Sequence, residues 1–138
     1  MRALLDTNVI LDAIQGREPW AGAAQEIFLG AACERFIGCM TAKSCADIHC
    51  LVHRCTHSEA AASQTLDKLF VLFELLDTTA MDCKRALASD TTDYEDAIMI
   101  ETAVRERLDC IVIRNGRNFA RAPLYILSPE AFLQALRG

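Results

Sequence analysis

The stretch Arg2-Ala3-Leu4-Leu5-Asp6-Thr7-Asn8-Val9-Ile10-Leu11-Asp12 decides how the rest of the chain is read. Three apolar residues run unbroken into a carboxylate and two further polar groups. Such a run reads as a short strand buried on both faces. A helical pattern follows from about Val9 and breaks near Gly16. A buried strand that passes directly into a helix is the repeating unit of a parallel α/β sheet, and ligands of open α/β sheets bind beyond the carboxyl ends of the strands.

The alternation recurs outward from this unit. Arg35 to Met40, Glu74 to Asp77, Cys110 to Ile113 and Tyr125 to Leu127 read as further strands, Cys110-Ile-Val-Ile113 most clearly. Between them lie helical patterns. One opens at Pro19, with Trp20, Ala23, Ala24, Ile27 and Phe28 at helical spacing. The next is capped by Thr41 or Ser44 and runs to about Cys55. Another is capped by Ser58, with Leu66, Leu69, Phe70 and Phe73 on its apolar face. Met81 to Ser89 forms a short helix, and one beginning at Thr92 or Asp93 runs through Leu108. The last helix has Ser128 as cap and Pro129 in its first turn. The pattern predicts an α/β fold with a parallel sheet. The 138 residues suit a single domain, 1–138, around one core.

No apolar run reaches the roughly 20 residues of a membrane span. Asp6 and Asp12 interrupt the stretch that a signal peptide would keep apolar. The expectation is a cytoplasmic protein. The seven cysteines (33, 39, 45, 50, 55, 83, 110) form no CxxC pair and read as small buried apolar groups. The net charge of −5 is unevenly spread: residues 1–102 carry 8 basic and 16 acidic groups, residues 103–138 carry 6 and 3. An acidic body with an Arg-rich tail suits a metal site beside a phosphate-contacting edge, and an ordinary solvated surface explains it equally well.

Four places put polar groups at strand ends or helix starts. Asp6-Thr7-Asn8 ends the first strand, where a helix cap is the plain alternative. Asp47 interrupts an otherwise apolar helix in which Ile48, Leu51, Val52 and Cys55 mark the buried side; a surface residue is the alternative. Asp93 and Asp96 stand three apart at a helix start, a spacing that capping alone would also select. Arg114-Asn115-Gly116-Arg117-Asn118-Phe119 follows the strand ending at Ile113, and a plain loop is the alternative.

Taken in order and at these spacings, the segments resemble the PIN family over nearly the whole chain. Leu-Leu-Asp6-Thr7-Asn8-Val-Ile-Leu-Asp12 is similar to the family's opening, Ala46-Asp47-Ile48 to its second acidic position, and Tyr94-Glu95-Asp96-Ala97-Ile98 to its third. Ile113-Arg114-Asn115 with Asn118-Phe119 is similar to its fourth region. The resemblance implies a three-layer α/β/α sandwich around a mainly parallel sheet of four to five strands. It also implies a ribonuclease dependent on Mg²⁺ or Mn²⁺. Many members are VapC-type toxins neutralised by an antitoxin protein, and dimers are common among them. By the match, Asp6, Asp47 and Asp96 are the catalytic metal carboxylates, with Asp93 and Asn115 as secondary ligands. Asn8 and Asn118 support them, and Arg114, Arg117 and Arg121 are candidates for RNA phosphates.

The chemistry is coherent. Hard divalent cations take oxygen ligands, and clustered carboxylates raise one another's pKa until a cation neutralises them. Two departures stand out. Many members have an acid at the position of Asn115 or Asn118, which here carry no charge, so one well-held metal and a weaker second are expected. The second acidic position is Asp rather than the common Glu, one methylene shorter. These departures motivate an alternative of another class, a catalytically weak RNA- or protein-binding module on the same fold. His49, His53 and His57 recur every four residues, a spacing that can bind Zn²⁺ from a helix but equally suits an exposed face. No GxGxxG follows the first strand, which argues against a dinucleotide oxidoreductase.

Overall fold

The computed structural model describes residues 1–91, 93–114 and 123–138. In chain order the elements are β1 (Arg2–Leu5), α1 (Thr7–Gln15), α2 (Ala21–Ala32), β2 (Ile37–Thr41), α3 (Ala42–Thr56), α4 (Glu59–Leu72), β3 (Glu74–Leu76), α5 (Ala80–Leu87), α6 (Tyr94–Arg105), β4 (Cys110–Val112), β5 (Tyr125–Leu127) and α7 (Pro129–Arg137). The strands form one sheet in the order β3-β2-β1-β4-β5, with every neighbouring pair parallel. β1 is central. Ala3 sits beside Gly38 on one side and Cys110 on the other.

Because side chains alternate across a strand, β1 feeds both faces. Ala3 and Leu5, with Met40, Cys110 and Val112, join the core shared with α1, α2, α3, α4 and α7. Leu4, with Cys39, Leu76, Ile111 and Ile113, joins the core under α6. Helices therefore cover both faces, giving the three-layer α/β/α arrangement. No described helix is long and apolar enough to cross a membrane.

Local chemistry accounts for most boundaries. Gly16 ends α1 at φ +63°, a left-handed conformation that favours glycine, and its N–H donates to the Asp12 carbonyl. Ser58 and Ser128 cap α4 and α7, accepting from the Ala61 and Ala131 N–H groups.

Several expectations are corrected. α1 begins at Thr7 rather than near Val9, because Asp6 itself supplies the cap. α5 begins at Ala80, where Thr79 and Asp82 form a capping box. α6 ends at Arg105, and Arg107 takes a left-handed turn short of Leu108. Thr41 caps α3 by position but not by side chain; its hydroxyl hydrogen-bonds the Ser44 hydroxyl at 3.1 Å. Phe70 is exposed rather than buried with Leu69. Of the seven thiols only Cys39 and Cys110 are buried, and Cys33, Cys50 and Cys55 face solvent.

Candidate active site

The strand order reverses direction between β1 and β4, and a cleft opens beyond their carboxyl ends, as the topology of an open sheet dictates. The cleft holds about 630 Å³. Asp6, Thr7 and Asn8 reach it from the end of β1, Lys43, Ser44, Asp47, Cys50 and Arg54 from α3, Asp93, Glu95 and Asp96 from the start of α6, and Arg114 from beyond β4. The described candidates are thereby brought together: Asp6, Asn8, Asp47, Asp93, Asp96 and Arg114 all line it. Asn115, Arg117, Asn118 and Arg121 lie outside the described residues.

The N-termini of α1, α3 and α6 all meet this cleft, so the positive ends of three helix dipoles face its carboxylates. Hydroxyls tie the first two together. Ser44 Oγ is 2.7 Å from Thr7 Oγ1 and 3.1 Å from Thr41 Oγ1.

The Asp6 carboxylate accepts the Asn8 backbone N–H at 3.2 Å. The support from Asn8 is thus through its main chain, while its side chain is exposed. Burial pushes the Asp6 carboxyl above its ordinary value, against the hydrogen bonds from Asn8 and Thr7 and the charge of Arg114. Among the described residues, no Lys, Arg or His lies within salt-bridge distance of it. Asp93 caps α6 by accepting the Asp96 N–H at 3.1 Å, so the capping role and a place in the cleft coincide.

Asp47 is half-buried and paired with Lys43 at 2.9 Å, and Lys43 also reaches Glu95 at 3.1 Å. Arg114 is held by buried Asp12 and stacks on the Trp20 ring, 3.8 Å from its centroid. Other basic groups of the tail are likewise engaged. Arg105 grips Asp82 through Nε and Nη2, both at 3.0 Å, and Arg137 pairs with Glu26.

Sequence reading missed Lys43, Arg54 and Glu95. The first two stand four residues before and seven after Asp47, one and two helical turns away on the same face, a spacing that would have found them. Arg54 makes no ion pair among the described residues and is exposed in the cleft. The imidazole face contributes nothing to the cleft: His49 pairs with Glu59, and His57 sits past the end of α3.

The described donors lining the cleft suit a hard cation, since carboxylates dominate and half-buried Asp6 has no ion-pair partner among the described residues. Among the described residues no three His, Cys, Asp or Glu side chains are gathered closely enough to form a preassembled metal cage.

The PIN domain model matches residues 2–117. This chain belongs to the PIN domain family. Several solved structures share the PIN fold with it at low identity. A toxin–antitoxin complex from Klebsiella pneumoniae is 23% identical, with a TM-score of 0.67 over 92% of this chain and 97% of the other. FitAcB from Neisseria gonorrhoeae is 18% identical, with a TM-score of 0.67 over 93% and 98%. VapC20 from Mycobacterium tuberculosis, described as a Sarcin-Ricin loop cleaving toxin, is 14% identical, with a TM-score of 0.66 over 86% and 93%. No curated protein sequence matches this PIN chain.

Proposed function

We propose that this protein is a divalent-metal-dependent endoribonuclease and the toxin half of a toxin–antitoxin pair, acting in the cytoplasm. The observation that carries the reading is the convergence of Asp6, Asp47, Asp93 and Asp96 on one cleft at the switch point of the sheet, with Asp6 half-buried and in no ion pair with a described cation. Family membership supports the nuclease class, and the toxin–antitoxin complex among the neighbours supports a protein partner.

Asp6, Asp47 and Asp96 would hold Mg²⁺ or Mn²⁺, with Asp93 beside them. Such an ion supplies a water of lowered pKa and offsets charge on the phosphoryl and leaving oxygens. The chain's own residues do the rest. The backbone of Asn8 fixes the Asp6 carboxylate, and the Ser44 hydroxyl bridge holds the starts of α1 and α3 in register. Arg54, which makes no ion pair among the described residues, offers a cation to an RNA phosphate at the rim. Arg117 and Arg121 remain candidates for the same task. Arg114, which has Asp12 as its partner, acts mainly by fixing the end of β4.

The test is cleavage of mixed RNA in Mn²⁺ or Mg²⁺, with and without EDTA, beside an Asp6→Asn, Asp96→Asn double variant. Metal-dependent cleavage that the variant loses supports the reading; cleavage that survives in the variant sinks the site.

A second reading has its own observation. No three described carboxylates are gathered as a metal cage, and the fourth acidic position is Asn. A catalytically weak RNA- or protein-binding module would show RNA or partner binding that is indifferent to EDTA.

A further inference from the structure

Lys43 is placed against the preferences of its own helix. It is the second residue of α3, where the positive end of the dipole disfavours a cation, and it precedes Asp47 in the less favourable order for an i,i+4 pair. Helix stability alone does not explain it. Its backbone N–H donates to Thr78 Oγ1 at 3.2 Å, which fixes where the side chain starts. From there Nζ reaches Asp47 Oδ2 at 2.9 Å and Glu95 Oε1 at 3.1 Å. One ammonium thus bridges the two helices, α3 and α6, that carry Asp47 and Asp96.

Resting on the metal-site reading above, we propose that Lys43 is a tethered competitor for the divalent cation. In the metal-free protein its single charge offsets part of the charge of Asp47 and Glu95, which relieves the repulsion among the carboxylates of the cleft. A divalent ion that engages Asp47 through Oδ2 must displace Lys43 from that oxygen. Lys43 therefore sets the affinity for the metal and is a positioning residue, touching none of the reacting atoms.

The test is Mn²⁺ binding by titration calorimetry, without RNA, on wild type, Lys43→Gln and Lys43→Arg. Removing one tethered charge beside a ligand carboxylate should tighten Mn²⁺ about tenfold in Lys43→Gln. Lys43→Arg, which keeps the charge, should stay within about twofold of wild type on the same ground. Equal or weaker binding in Lys43→Gln overturns the role of Lys43 and leaves the metal site standing, whereas no Mn²⁺ bound by any of the three overturns both. A measurement on the wild type guards against a variant that misfolds. The Lys43 ammonium resonance, followed by nitrogen-detected NMR, should move as Mg²⁺ is added; a resonance that stays in place while Mg²⁺ binds overturns the proposal.

Discussion

Arg114 closes a two-point fork on Asp12 across 102 residues of chain, Nε to Oδ2 at 2.6 Å and Nη2 to Oδ1 at 2.5 Å. Asp12 is 1% exposed, while the guanidinium stacks on the exposed Trp20 ring and Arg114 lines the cleft. The pair ties α1 to the end of β4, the two segments that frame Asp6.

The two partners are unequal, and that predicts an asymmetry. Arg114→Gln leaves a carboxylate buried without its cation and should cost about 3 kcal/mol of unfolding free energy. Asp12→Asn keeps a hydrogen-bond acceptor and lets the arginine turn to water, so about 1 kcal/mol is expected. Urea unfolding of the two single variants compares them directly. Equal losses would mean that the fork holds no uncompensated charge.

Asp6→Asn should separate stability from metal binding. Burial raises the Asp6 carboxyl above its unfolded value, so its contribution to stability is present at low pH and is lost as pH rises through the folded pKa. At neutral pH the charged group is a burden on the metal-free fold. Asparagine caps a helix as well as aspartate does. The variant should melt in EDTA at or above the wild-type temperature, yet lose Mn²⁺ binding at least tenfold. A marked drop in melting temperature would show that Asp6 is structural.

Asp82 titrates in the opposite sense. Burial alone would raise its carboxyl, but hydrogen bonds from Arg105, the Thr79 N–H and Thr102 outweigh it and hold it at about 2, down from 3.8. Stability from this group is present above pH 3.8 and is lost as pH falls through about 2. The shift corresponds to about 2 kcal/mol. Asp82→Asn should weaken the protein at pH 7 by about that amount or more and flatten the acid limb of its stability profile. Chemical denaturation between pH 7 and pH 2 resolves both effects.

Gly38 in β2 faces Phe73. A Cβ there would stand 2.6 Å from Phe73 Cδ1 and 2.8 Å from Cε1, and the ring is also braced edge-on by Phe28. Gly38→Ala should cost about 1–3 kcal/mol by overpacking. Adding Phe73→Leu should recover part of that loss, a coupling that a double-mutant cycle measures.

The local features were legible because local chemistry writes them. Tyr125 to Leu127 and the Ser128-Pro129 start of α7 need only neighbours in sequence, and β1 and β4 announce themselves as continuous apolar runs. The start of α1 was hidden because Asp6 is both its cap and a cleft residue, so a functional group obscured a boundary. Thr79 and Asp82 escaped because Asp82 answers to Arg105 and Thr102, some twenty residues on, as well as to its own cap. The gathering of four aspartates at one cleft followed from the order of strands once the segments were matched to a family. The roles of Asp12 and Arg114 did not follow, because which side chains meet across the sheet is fixed by packing, which periodicity does not report.

The central place of β1 also governs when the cleft can exist. One edge of β1 pairs with the nearby β2, whereas the other pairs Ala3 with Cys110 of β4, far along the chain. Closing such a distant pairing is slow. Pairing of β1 with β2 can set Asp6 and Asp47 on one side of the cleft, but the edge that carries Arg114 waits for β4. The cleft is therefore completed late in folding, when the most distant of the pairings of β1 has closed.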